Sequence, residues 1–261
     1  MAEVAAEVTA EDGGGDGPRL PASIEAAWGL RQRPGKGPKP GLSLERIVET
    51  AVKAADSDGI AAASMSRVAA DLGVSTMSLY RYVAAKDELL KLMTDAAYGP
   101  PPAGPPAEEG WRAALSHWAQ AELAALRRHP WILRIPISGP PITPNAILWL
   151  EQGLCGLRDT GLPEADKFSV MLLVTGFVRN AATQAVDVRE AAEKSGSTVQ
   201  DVMASYGRML AQLIDPVRFP ALTAGLASSA LDDDDEDGDG DFFFGLERVL
   251  DGIEVLIRAQ R

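Results

Sequence analysis

Ser64–Val83 reads SMSRVAADLGVSTMSLYRYV, and this stretch decides the fold. Ser64 stands before a short helical run in which Val68, Ala69 and Leu72 recur at helical spacing. Gly73 breaks that run, Val74 follows, and Ser75 opens a second short helix expected to reach Val83. Gly73 supplies a positive φ where the chain reverses. Val68, Ala69, Leu72, Val74, Leu79 and Val83 form the inward set, and the small Ala69 allows close helix approach. Thr76, Met77, Ser78, Tyr80, Arg81 and Tyr82 are left to face outward in some proportion. Two short helices joined by a tight glycine turn make a helix-turn-helix. Hydroxyls, an aromatic pair and a guanidinium suit base edges and phosphate oxygens in a major groove.

On the N-terminal side, Leu44, Ile47, Val48, Ala51, Val52 and Ala55 share one face of a helix capped by Ser43 and ended near Gly59. On the C-terminal side, Lys86 opens a fourth helix with Leu89, Leu90, Leu92 and Met93. PPPAGPPA at 100–107 then interrupts the helices. Further helical patterns rich in Ala and Leu cover 108–129, 143–159, 163–193, 198–214 and 242–259, and none alternates as a strand does. Residues 21–30 suit one or two helical turns around Ile24, Ala27 and Trp28. The first twenty residues, and about 27 residues at 215–241, read as disordered.

Charge alone does not set the partner. The 261 residues carry a net charge of −12, but 232–241 holds eight acids and no base, and without it the balance is −4. Arg31, Arg33, Lys36 and Lys39 lie together with no acid between them, and from Arg31 to Tyr98 ten bases face eight acids. Local charge of this kind is compatible with phosphate binding once salt screens the remainder. The single Cys155 excludes an internal disulfide framework, and His117 and His129 are too few and too far apart for a zinc site, so neither metal nor cofactor is expected. The acidic N-terminus lacks the apolar core of a secretory signal, and no apolar run is long enough to span a bilayer, so a soluble cytoplasmic protein is expected.

Residues 41–99 resemble the DNA-binding domain of the TetR family of bacterial repressors. The resemblance is carried by Asp58-Gly59, Met65-Ser66-Arg67-Val68-Ala69, Leu72-Gly73-Val74-Ser75, Leu79-Tyr80-Arg81-Tyr82-Val83 and Lys86-Asp87-Glu88-Leu89-Leu90. HPWILRIPISGPPITPNAILWLEQGLCGLRDTGLP, from His129, is similar to the ligand-domain pattern of the tetracycline-repressor subgroup. The resemblance implies an all-α homodimer. Each chain would carry a disordered tail with a basic arm at 1–41, a three-helix head with its helix-turn-helix at 42–98, and a helical ligand-binding and dimerisation domain at 108–261. It places groove contacts on Thr76, Met77, Ser78, Tyr80 and Tyr82, and phosphate contacts on Lys86, Ser64 and Ser66. It also gives helix 86–97 the task of transmitting the switch.

The residues themselves leave several roles open. Arg67 and Arg81 suit either phosphates or solvated ion pairs, and Met77 either a base or plain surface. Tyr80 and Tyr82 lie two apart, on nearly opposite helix faces, so one at least faces DNA. The basic arm is either a minor-groove reader or a soluble linker. In the second domain His117, Trp118, Phe168, Met171, Leu172, Thr175 and Arg179 are the candidate lining of an effector cavity, each with ordinary core packing as its alternative. That cavity is expected where helices 108–129 and 163–193 meet the segment joining the heads, so that filling it moves helix 86–97. Helices 163–193 and 242–259 are expected to pair with their copies through Phe168, Met171, Leu172, Phe177, Phe243, Leu246, Val249, Leu250, Ile253, Leu256 and Ile257. The leading function is a repressor released from a near-palindromic operator on double-stranded DNA by a small hydrophobic or aromatic effector. The alternative is a DNA-binding regulator without such a ligand, controlled by a protein partner or by its own level. An enzyme is disfavoured by the absence of a phosphate loop, a nucleophile elbow and a metal cluster.

Overall fold

The computed structural model describes residues 20–30, 41–228 and 239–260, and among these it contains helices and no strand. The acidic tail 1–19, the basic stretch Arg31–Lys39 and residues 229–238, which hold most of the acid run, lie outside the described residues, and with them the expected arm.

A short helix α1 (Ala22–Ala27) precedes the head, which is built from α2 (Leu44–Asp58), α3 (Met65–Leu72) and α4 (Thr76–Tyr80). Each head helix starts on a serine: the hydroxyls of Ser43, Ser64 and Ser75 accept from the amides of Arg46, Arg67 and Ser78. Such caps satisfy one orphan amide each and contribute about 1 kcal/mol apiece. Gly73 ends α3 in the left-handed region at φ 67°, with no atom within 4 Å of where a Cβ would sit. The backbone conformation, not crowding, therefore demands glycine there. Ile47, Ala51, Val68, Leu79 and Val83 are fully buried and lock the three helices together. The second helix of the motif stops at Tyr80, short of the expected Val83. Arg81 and Tyr82 form a turn instead, which lets Val83 drop into the core.

Helix α5 (Lys86–Tyr98) belongs to both halves of the molecule. Its Leu89 and Met93 are fully buried, and Tyr98 at its end meets the ring of Trp149 edge-on at 5.7 Å. The body contains α6 (Gly110–Arg128), α7 (Pro144–Gly156), α8 (Glu164–Ser195), α9 (Val199–Leu213), α10 (Pro220–Ala227) and α11 (Asp239–Arg258). Helix α8 packs on α6, α7 and α11. Its buried stripe runs Val170, Met171, Val174, Val178 and Ala182, one helical face over three turns.

Two expectations for the C-terminal third need correction. The stretch 215–241 is not all irregular. The Asp215 carboxylate accepts from the amides of Val217 and Arg218 at 3.0 and 2.9 Å, and Pro220 then starts α10 with its φ already helical. Helix α11 begins at Asp239, inside the acid run, where Asp239 pairs with Arg127 of α6. Carboxylates in a first turn are favoured by the amide ends of the helix.

The faces of α8 and α11 also divide differently from the expected pairing. Met171, Leu246, Leu250, Ile253 and Ile257 are buried within the chain itself, and Phe177 stacks on the buried Phe242 at 5.5 Å. The outward apolar residues are Phe168, Leu172 and Leu173 on α8, and Phe243, Phe244, Val255 and Leu256 on α11.

Candidate nucleic-acid interface and effector site

In α4, Met77 and Tyr80 lie three residues apart on one face and are 73% and 46% exposed. Arg81 follows on the same side and is exposed. This face presents a thioether, a phenol and a guanidinium to solvent, beside the half-buried Thr76 and Ser78. The Ser78 hydroxyl lies 2.9 Å from that of Ser75, which orients it at the helix start. Tyr82 is placed otherwise: its ring is half-buried and its hydroxyl donates to the Leu42 carbonyl at 3.0 Å. It braces the chain entering α2, which corrects its assignment as a freely groove-facing residue. The opposition of Tyr80 and Tyr82 holds, with Tyr80 on the solvent side.

The phosphate candidates separate in the same way. Lys86 is exposed at the first position of α5, next to the exposed Ala84 and Ala85. Ser66 is exposed, and Ser64, while capping α3, lies 3.2 Å from the Ser66 hydroxyl. Arg67 is committed to protein: it pairs with Asp71 at 2.9 Å and Asp58 at 3.4 Å, which raises its pKa above the ordinary arginine value. Both pairs are solvent-exposed and so contribute little to stability.

The effector candidates do not converge on one wall. Trp118 is buried, with Nε1 donating to the Trp149 carbonyl at 2.8 Å and its ring edge-on to Trp149 at 5.8 Å. Met171 lies beside it against Gly153, where a Cβ would come within 2.1 Å of the Met171 methyl. Thr175 and Arg179 follow along α8, both half-buried. Phe168 and Leu172, at 53% and 76% exposed, point away from this interior, which corrects their place in the lining. Both faces of α8 are apolar, so helical spacing alone gave no way to tell them apart. His117 lines a separate hollow of about 430 Å³ beneath the proline-rich connection, with Trp111, Gln152 and Arg158.

A groove of about 270 Å³ lies between α5 and the irregular segment 135–143. Leu90, Lys91 and Thr94 form one wall, Ile135, Ile137 and Ile142 the other, and Arg179 also borders it. Arg179 acts in turn on two groups that the sequence reading missed, Tyr98 and Glu122. Glu122 is buried on the stripe Leu115, Trp118, Ala119, Leu123 and Leu126 of α6, and burial pushes its carboxyl up to about 8. A carboxylate inside an otherwise apolar helical face was visible in the sequence and was the signal to follow. Burial raises the Tyr98 phenol as well.

Polar ties hold the head to the body around this groove. The Asp95 carboxylate accepts from the amide of Ala146 at 3.0 Å and from Nδ2 of Asn145 at 3.1 Å. The Glu88 carboxylate accepts from the Ser23 hydroxyl at 2.6 Å, and Nε1 of Trp28 donates to the Ile142 carbonyl at 2.8 Å. Helix α1 therefore spans from α5 to the outer wall of the groove. No helix among the described residues is long and apolar enough to cross a membrane.

Comparison with known proteins agrees with this arrangement. Residues 47–93 match the family model for bacterial regulatory proteins of the tetR family, and residues 104–257 match the tetracyclin repressor-like C-terminal domain. The chain is similar to the HTH-type transcriptional repressor DrrR1 of Streptomyces coeruleorubidus, with 40% identity over 256 residues that cover 97% of this chain and 91% of that one. It is similar to an HTH-type transcriptional regulator of Saccharopolyspora erythraea over 148 residues at 33% identity, covering 54% of this chain and 59% of that one. Among solved structures it resembles the TetR family protein ActR of Streptomyces coelicolor in complex with actinorhodin, with a TM-score of 0.68 and 27% identity, covering 82% of this chain and 96% of ActR. ActR in complex with (S)-DNPA gives a TM-score of 0.67 at 26% identity, covering 82% and 98% of the two chains. With a helix-turn-helix head, a matching helical body and these relatives, the chain belongs to the TetR family of bacterial regulatory proteins and is a DNA-binding transcriptional regulator, not an enzyme.

Proposed function

We propose that the protein is a dimeric repressor released from its operator by a small, mostly apolar, planar effector. The observation that carries this reading is the groove beside α5, because Leu90, Lys91 and Thr94 of that wall stand on the helix that begins at the DNA face with Lys86. A molecule wedged against that wall acts on the head directly. An effector shifts the operator equilibrium only by its differential affinity for the two conformations, and a coupling of about 1–3 kcal/mol is ordinary. The relative named a repressor and the ActR complexes with actinorhodin and (S)-DNPA support the reading. The DNA contacts belong to Thr76, Met77, Ser78, Tyr80 and Arg81 in the groove, and to Lys86, Ser64 and Ser66 on phosphates. Two-fold symmetry then calls for a near-palindromic operator with half-sites about one helical turn or slightly more apart.

The test is operator release. Planar aromatic compounds are titrated into the protein bound to a labelled duplex from its own upstream region, with tryptophan emission followed in parallel. Release that saturates together with the emission change supports the effector reading. Binding to the duplex that no aromatic compound disturbs favours a regulator governed by a protein partner or by its own level.

A further inference from the structure

Three charged side chains are buried among the described residues, and two of them are fully accounted for. Asp95 is held by Asn145 and Ala146, and Lys167 pairs with Glu164 at 2.7 Å. Glu122 is the exception: it is 5% exposed, and its Oε2 has no hydrogen-bond partner among the described residues. An unpaired buried polar atom costs about 1–3 kcal/mol, and a leucine on this stripe would avoid the cost. An acid kept at that cost is suited to meet something that is not part of the chain.

The surroundings say what that is. The ionisable groups acting on Glu122 are Tyr98 from α5 and Arg179 from α8. The other buried acid, Asp95 of α5, is turned into α7, and His117 of α6 lines the separate outer hollow. Burial keeps the proton on Glu122 up to about pH 8 and holds that of Tyr98 above the usual phenol range, and a guanidinium can only donate. At neutral pH the Glu122 carboxyl and the Arg179 guanidinium therefore have hydrogens to donate, while the Tyr98 hydroxyl bonds between them. Trp118, Trp149 and Tyr98 stand edge to face beside them, and Arg179 borders the groove.

We propose that Glu122, Tyr98 and Arg179 form the polar end of the effector site and select planar aromatic compounds that present oxygen acceptors, such as quinone or ketone carbonyls. This rests on the effector reading above and specifies its ligand class. A cationic amine is disfavoured, because it brings more donors to a place already furnished with donors and sets a second positive charge beside Arg179.

Calorimetric titration with two probes tests this: 9,10-anthraquinone-2-sulfonate, whose carbonyls do not titrate, and 9-aminoacridine, a planar cation. The expected result is that the quinone binds at pH 7 and loses about tenfold in affinity towards pH 9, as the ionised Glu122 turns lone pairs towards its oxygens. In Glu122→Gln, which keeps a neutral donor, binding at pH 7 is retained and the alkaline loss disappears. In Glu122→Leu, affinity at pH 7 drops about tenfold, with circular dichroism confirming the fold. Preferential binding of the acridine, strengthening as pH rises and abolished in Glu122→Gln, overturns the acceptor class while leaving the effector site standing. Quinone binding with the same pH profile in wild type and Glu122→Gln overturns the role of Glu122. Failure of both probes to bind the wild type overturns this proposal, whereas the operator-release screen with other aromatics judges the effector reading separately.

Discussion

Asp56, near the end of α2, accepts a hydrogen bond from Nε1 of Trp131 at 2.6 Å, and the same oxygen lies 2.8 Å from Nδ1 of His129. One carboxylate thus ties the first helix of the DNA head to the turn that follows α6. The Asp95–Asn145, Glu88–Ser23 and Trp28–Ile142 contacts tie other points of the head and α1 to the body. Rotation of the head on the body would have to strain this set.

Asp56→Ala is expected to lower stability by about 1–3 kcal/mol in urea unfolding, because it leaves the partly buried indole N–H of Trp131 without its acceptor. It should also weaken the effect of an effector on operator affinity, since one of the ties that transmits the motion is gone. Asp56→Asn retains an acceptor oxygen and should recover most of the stability. A loss confined to stability, with coupling intact, would make the contact purely structural.

Tyr80 and Tyr82 should respond oppositely to mutation. Tyr80→Ala removes an exposed aromatic from the α4 face and should weaken operator binding at unchanged stability. Tyr82→Phe removes the hydrogen bond to Leu42 and should cost about 1 kcal/mol in stability with little change in base preference. Lys86→Ala should weaken binding to all sequences alike and reduce the salt slope by about one, whereas changes at Thr76 or Ser78 should relax base preference by roughly 1–3 kcal/mol. Filter binding at several salt concentrations on matched and scrambled duplexes separates these outcomes.

The head was legible because its signals are local. Ser43, Ser64 and Ser75 each bond an amide three residues on, and Gly73 takes the one conformation that favours glycine, so caps, period and turn agree. Tyr82 was misread because helical spacing continues through Val83, while the burial of Val83 is better served by a turn after Tyr80. Phe168 and Leu172 were misread for a different reason. Helix α8 has apolar residues on two sides, and spacing cannot say which side meets the chain's own core. The groove escaped notice because one wall, 135–143, is irregular proline-rich chain with no period to read.

Glu122 should give the protein a pH-dependent stability of known sign. Its folded-state pKa lies near 8, above the usual 4.5, so the unfolded chain gives up this proton first as pH rises. Stability should therefore fall between about pH 4.5 and 8 and level off above, at about 1.4 kcal/mol per unit for this one group. Glu122→Gln removes that contribution and should be most stabilising relative to wild type at pH 8 and above. Chemical denaturation across pH 5 to 9 checks it, and parallel curves for the two proteins would contradict the raised pKa.

The outward apolar faces of α8 and α11 make the last prediction. Phe168, Leu172 and Leu173 on one helix, and Phe244, Val255 and Leu256 on the other, are large, exposed and spread along two neighbouring helices. We propose that a second copy covers this patch, two-fold pairing of the two helices then giving a four-helix interface. Leu172→Glu or Phe244→Glu places a carboxylate in that interface and is expected to shift sedimentation at micromolar concentration from dimer to monomer. Each monomer should remain folded, because both positions are exposed in the single chain. Operator affinity should fall with the loss of the second head, while a half-site duplex is bound as before. Gly245→Ala works from the inside of the same helix pair: its Cβ would come within 2.6 Å of the Phe177 ring, which is stacked on Phe242. It is expected to displace α11 from α8, lowering stability by about 1–3 kcal/mol, and to weaken the dimer as a consequence. A stable monomer already present in the wild type at micromolar concentration would refute the paired arrangement.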